Sequence, residues 1–306
     1  MANSTTAYNS SLPSEGLSPQ FRCLGPMDIT ASTMNAISFI INIFHLIVIT
    51  RLESLKGTQY RHILINISLA DLVNTLMMAV FYSCYDFFIY IFDYVDAEPA
   101  LRVPVNTLVL FANYIGYHVF LVASIQKYLA ICKPTSYQSS PFIKRLPVVF
   151  ALAWIYVLLL NLVFPVMEAL APSLLLWADK IRMAQAVLLS IPPNIITGVL
   201  LFKVNRALKV RKRVRKTMNV TNVAQAKGDK CVIYLIIIFT LEMFVFALNV
   251  VSILIFYQTE MIIWTKIWNA FIKPLYTIAN TIIYGWRTEA YQLRVCRMFG
   301  CQTASA

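Results

Sequence analysis

Long apolar runs, broken at intervals by short polar clusters, dominate the chain. Seven of them, roughly 29–50, 63–92, 104–131, 148–170, 182–208, 231–257 and 265–286, approach or exceed the about 20 residues that a helix needs to cross a bilayer. Within each run the apolar residues are continuous and do not alternate, a pattern that predicts helices and excludes a membrane barrel. The expected fold is an all-α membrane protein. It comprises a seven-transmembrane helix bundle over 29–286, a polar leader over 1–28, and a short amphipathic helix with a tail over 287–306.

Composition agrees with that pattern. Only 13% of the residues are charged and 59% are hydrophobic, against about 25% charged in a soluble domain. The segments between spans one and two, three and four, and five and six, together with the tail, carry twenty Lys/Arg against Glu53, Asp229 and Glu289. By the positive-inside rule that side is cytoplasmic, which puts the N-terminus outside a plasma membrane. The net charge of +12 is therefore a topology signal, and no nucleic-acid partner is expected. Asn3-Ser4-Thr5 and Asn9-Ser10-Ser11 are glycosylation sequons in the outward leader. The leader lacks a basic start followed by an apolar core, so the first span is expected to act as the targeting signal.

Away from the span ends, three residues that carry a charge at neutral pH fall inside spans: Asp71, Glu242 and Lys273. A carboxylate at mid-membrane costs about 2.5–3.5 kcal/mol on insertion scales, so Asp71 must face the bundle interior and find partners there. Glu242 and Lys273, on the sixth and seventh spans, are expected to form an interhelical ion pair. Such a pair either pins two helices or lends one partner to a charged ligand. Three histidines with no metal-ligand spacing, and no nucleophile–base or paired-carboxylate arrangement, argue against an enzyme. A transporter would also keep intramembrane charges, but no inverted repeat is visible.

The remaining polar positions follow an order. Asn42 is the amide of the first span, in Ile40-Ile-Asn-Ile-Phe44, and Asp71, in Asn66-Ile-Ser-Leu-Ala-Asp-Leu72, follows 29 residues later. Trp154 comes 27 residues after Lys127, and Asn280-Thr-Ile-Ile-Tyr284 closes the seventh run. In this order and spacing the chain resembles the rhodopsin-like (class A) G protein-coupled receptors over about 29–301. The resemblance implies a receptor that passes the binding of an extracellular ligand to a heterotrimeric G protein. It also implies that Asn42, Asp71 and Asn280 converge in a polar network, which in the family often holds a sodium ion. A hydrogen-bonded cluster without an ion is the other reading. Gln126, Lys127, Tyr128 and Tyr284 stand at the positions implied to couple to the G protein.

The chain departs from the family at several of these positions. Gln126-Lys127-Tyr128 replaces Asp/Glu-Arg-Tyr, Thr281 replaces the proline of the closing motif, and Gly116 stands where a hydroxyl is usual. The sixth run has neither proline nor tryptophan, and no cysteine lies near the outer end of the third span or in 171–181, so the family's usual extracellular disulfide cannot form. Cys23 and Cys84 are the only cysteines on the outer side. The amine-binding acid of monoamine receptors would fall near Val109, so a monoamine is not the expected ligand. Lys273 precedes Asn280 by seven residues, one more than the retinal lysine of opsins, and one residue turns a side chain by about 100°. A receptor-shaped protein that does not couple remains the alternative, because Gln126 cannot hold Lys127 by charge.

Toward the lipid, Lys203–Lys216 forms a basic helical extension for anionic inner-leaflet lipid or a G protein. Tyr291, Val295 and Phe299 recur at steps of four, as in a helix lying on the inner leaflet. Cys296 and Cys301 are placed for palmitoylation. On the outer side Asp86, Asp93, Asp96 and Glu98 make an acidic rim, which would either attract a cationic ligand or simply be solvated.

Overall fold

The computed structural model describes residues 26–55, 58–80, 98–170, 175–218, 233, 235–241, 243–244, 271–287 and 289–299. Among the described residues every regular element is helical. In chain order the α-helices are α1 (Pro26–Arg51), α2 (Gln59–Val80), α3 (Glu98–Cys132), α4 (Pro134–Ser139), α5 (Pro141–Lys144), α6 (Leu146–Leu170), α7 (Leu175–Met218), α8 (Lys273–Arg287) and α9 (Glu289–Met298), with one 3-10 turn at Glu53–Leu55 between α1 and α2. Helical turns also cover 235–241.

Five of these helices are long and apolar enough to cross a membrane, over Ile29–Arg51, Gln59–Val80, Leu110–Cys132, Leu146–Val163 and Val187–Val214. They correspond to the first five expected spans and fit a multi-pass membrane protein. The sixth expected span, 231–257, lies mostly outside the described residues, and the seventh is described from 271 onward.

The helices are inverted in polarity relative to those of a water-soluble bundle. On α1, Asn35, Ser38, Asn42 and His45 recur at steps of three and four and are buried, while Ile37, Ile40, Ile43 and Ile47 face outward. Asn42 is 1% exposed and Ile40 65%. Water would favour the opposite arrangement, whereas a hydrocarbon surround stabilises apolar side chains outside and paired polar groups within. Leu152, Ile155 and Leu159 of α6, and Leu188, Ile195 and Phe202 of α7, continue the apolar exterior.

Two helices overrun their apolar runs. α3 starts at Glu98 and includes Arg102, and α7 extends from Leu175 through the basic run to Met218. Charged residues mark where a membrane would end, but they do not stop a helix, since Lys, Arg and Glu are good helix formers. Pro192 and Pro193 lie inside α7; each removes one backbone donor without ending the helix. Proline instead opens α4 and α5, where its missing N–H would have had no partner.

α1 lies along α2, and α3 is central, touching α2, α6 and α7. α8 lies against α1, and α9 folds back onto both. Ile63, Leu64 and Ile67 of α2, Ile115, Val119 and Ala123 of α3, and Val48 and Ile49 of α1 share one core. This arrangement brings the polar faces of α1, α2 and α8 together.

Candidate functional site

Asp71 faces α8, where Asn280 Nδ2 donates to its Oδ2 at 3.1 Å. An amide thus supplies the donor that the membrane cannot. Asn42 does not join them directly: its Nδ2 donates to Ser38 O at 2.9 Å on its own helix. The link from α1 to α8 runs instead through Ser38 Oγ, hydrogen-bonded to Thr277 Oγ1, which also donates to Pro274 O at 2.9 Å. The expected three-way convergence is therefore two adjoining contacts, a carboxylate–amide pair between α2 and α8 and a hydroxyl pair between α1 and α8. One turn beyond Asp71, Asn74 Nδ2 donates to Asn113 Oδ1 of α3 at 3.0 Å.

The donor set can be tested against a sodium ion. Asn42 Oδ1 and Asn74 Oδ1 are buried and accept no hydrogen bond, and the Asn280 amide stands against the Asp71 carboxylate. Oxygen donors suit a hard cation. Gly116, however, contributes no hydroxyl, and Lys273 at the first position of α8 lies within electrostatic reach of Asp71. Glu242, the expected partner of Lys273, is outside the described residues. Trp154 Nε1 donates to Asn66 Oδ1 at 3.1 Å and ties α6 to α2.

A second cluster sits at the end of the bundle that carries the basic residues. Gln126 is buried, and its Nε2 donates to Tyr137 OH of α4 at 3.0 Å and to Gln59 Oε1 of α2 at 3.3 Å. Tyr137 OH in turn donates to Gln59 Oε1. Gln59 Nε2 donates to Ile143 O of α5 at 3.3 Å. Next to this cluster the Lys127 ammonium stands 4.7 Å from the centroid of Tyr60, within cation–π range. Tyr128 packs on Val204 and Leu208 of α7, and Arg211 Nη2 donates to Ile131 O at 2.6 Å. Lys203, Arg206, Lys209, Lys212 and Arg213 face outward along α7.

Tyr284 is buried in an aromatic trio that docks the tail helix. Its ring meets Tyr291 edge-on at 5.3 Å and His45 at 5.3 Å, while His45 Nδ1 and Tyr291 OH are 3.0 Å apart. Burial pushes the Tyr291 phenol up to about 12, so it remains protonated at neutral pH. Gly285 makes room for this ring: a Cβ there would stand 3.1 Å from Tyr291 Cε1. Cys296 is a half-exposed free thiol on α9, and Cys132 a half-exposed free thiol at the end of α3. Asn3, Asn9, Cys23, Cys84, Cys301 and the acidic rim residues Asp86, Asp93 and Asp96 lie outside the described residues.

Sequence reasoning did not anticipate Ser38, Thr277, His45, Gln59, Tyr60 or Tyr137. The polar stripe Asn35, Ser38, Asn42, His45 at helical spacing was the one signal that would have found the α1 pair. No protein-family model matches the chain, and no curated protein matches it.

Proposed function

We propose that this chain is a seven-helix receptor of the rhodopsin-like kind. It spans a plasma membrane with its N-terminus outside and passes the binding of an extracellular ligand to a heterotrimeric G protein. One observation carries this reading: Asn280 of the closing Asn-x-x-x-Tyr segment donates to Asp71 of the Leu-Ala-Asp segment at 3.1 Å. Two motifs that are 209 positions apart, and that the resemblance pairs, make direct contact.

Agonist binding would favour a state in which the cytoplasmic ends of the helices separate, a population shift between two packings. α3 is the element suited to carry it, since it touches α2, α6 and α7 and carries Gln126-Lys127-Tyr128 near its end. Lys127 offers one rotatable ammonium in place of an arginine fork, so its grip on a partner is weaker and less directional. The basic face of α7 and the apolar face of α9 would rest on the anionic inner leaflet. Asp71 serves as a hydrogen-bonded structural acid beside the Lys273 charge, and Asn42 and Asn74 would supply oxygens to a sodium ion if one enters.

A second reading, a receptor-shaped protein that does not couple, draws on the engagement of Gln126 and Lys127 within the chain. Guanine-nucleotide exchange on a panel of purified heterotrimeric G proteins, with the full chain in lipid nanodiscs, separates the two. A receptor accelerates exchange on at least one class, with or without added ligand. A surface-expressed, folded chain that accelerates none is the non-coupling protein.

A further inference from the structure

We propose that the junction between the end of α3 and α7 is a binding site for a phosphoinositide, a membrane lipid whose headgroup bears phosphate monoesters. The inference deepens the reading of the basic end as cytoplasmic and rests on it for the leaflet that supplies the lipid; the site itself is defined by contacts between α3 and α7.

Two cations of α7 are turned toward α3. Arg211 Nη2 donates to Ile131 O at 2.6 Å, and the Lys203 ammonium stands 5.9 Å from the centroid of the Tyr128 ring, at the edge of cation–π range. Each contact orients its cation and leaves further N–H donors for a ligand, since a guanidinium has five and an ammonium three. Between them Val204 and Leu208 close the helices together against Tyr128, Ile131 and Cys132. The half-exposed Cys132 thiol is within electrostatic reach of both Lys203 and Arg211, so their fields overlap there. Lys133, the next residue, is exposed.

Charge and reach select the ligand. No Asp or Glu occurs in 99–167 or in 180–228, so neither stretch offers a carboxylate to these cations, and the junction attracts anions. Lys203 and Arg211 are eight residues apart, about 12 Å along a helix. A single phosphodiester meets one of them, whereas an inositol ring with phosphates on separate carbons meets both. A phosphate monoester also gives Arg211 the paired oxygens that suit its fork. The surroundings favour a lipid over a free polyphosphate. Val199, one turn nearer the membrane centre than Lys203, is exposed, as are Ile195 and Ile196, which gives acyl chains an apolar path. Basic sites between spanning helices on the cytoplasmic side suit such headgroups.

A bound headgroup covers Cys132, which gives a readout at the site itself. The experiment measures maleimide alkylation of Cys132 by peptide mass spectrometry, with the half-exposed Cys296 of α9 as the reference thiol. The full chain is placed in phosphatidylcholine nanodiscs that contain phosphatidylinositol bisphosphate, or phosphatidylserine at equal total charge. Nanodiscs expose both leaflets, so the result does not depend on sidedness. The phosphoinositide is expected to slow Cys132 relative to Cys296, and phosphatidylserine to leave the ratio unchanged. Lys203→Gln is expected to raise the phosphoinositide fraction needed for half-protection about fivefold, and Lys203→Gln with Arg211→Gln to abolish protection. Should the double variant fail to fold, Lys203→Gln alone decides, since its side chain makes only the Tyr128 contact. Equal protection by the two lipids, or an unchanged half-protection in Lys203→Gln, would overturn the site. Equal protection by soluble inositol trisphosphate in phosphatidylcholine nanodiscs would overturn its assignment to a lipid. Protection by the phosphoinositide in a chain that accelerates no nucleotide exchange would leave the site standing and remove the receptor reading.

Discussion

Asp71 exchanges water for one amide on another helix, and this single replacement says most about how the chain tolerates polar groups in a membrane. Asp71→Leu deletes the acceptor for Asn280 Nδ2 and is expected to destabilise by about 1–3 kcal/mol. Asp71→Asn, of the same shape, should lose less than half of that; thermal denaturation in detergent measures both. With Gly116 offering no hydroxyl and Lys273 nearby, exchanging choline for sodium at equal ionic strength is expected to leave the melting temperature unchanged. A sodium-dependent rise abolished by Asp71→Asn would instead put the ion at this site. Lys127→Arg restores a planar fork, which also stacks on Tyr60, and should strengthen coupling in nucleotide exchange. Asp71 was legible in the sequence because an acid in an apolar run is costly wherever it sits. The partners of Gln126 and Lys127 were not, because Gln59, Tyr137 and Tyr60 read as ordinary polar or interfacial residues until the helices bring them together.

Helices that pack through small and aromatic contacts set the next level. α9 is held by Tyr291 against His45 and Tyr284, and Gly285 leaves space for its ring. Tyr291→Ala should free the tail helix at a cost of about 3 kcal/mol, read as loss of amide hydrogen-exchange protection over 289–299. Gly285→Ala gains about 1 kcal/mol of helix propensity but crowds a ring, a conflict typically worth about 1–3 kcal/mol. It should therefore destabilise the parent and stabilise a Tyr291→Leu background. The raised Tyr291 phenol gives docking a defined pH window: the neutral form is favoured on burial, so docking is constant below about 10 and weakens as pH climbs toward about 12. The existence and order of the five helices long and apolar enough to cross a membrane were legible from apolar runs alone. Their ends were not, because Lys, Arg and Glu extend a helix as readily as Leu does, so α7 continues to Met218.

For the whole molecule, inverted polarity is the governing fact. Polar faces of α1, α2, α3 and α8 turn inward and isoleucine and leucine turn out, so the bundle is built for a lipid surround and has one basic end. The side chains Lys209, Lys212 and Arg213 on the outer face of α7 should each add about 1 kcal/mol to the affinity for anionic lipid. Their joint replacement by glutamine should weaken the preference for phosphatidylserine over neutral nanodiscs without altering the fold. The central claim is that the basic end is a switchable docking face for a heterotrimeric G protein. Guanine-nucleotide exchange on a G protein panel, with the folded full chain in nanodiscs, tests this most directly. Exchange above the protein-free rate on at least one class is the predicted result; no acceleration on any class would contradict it.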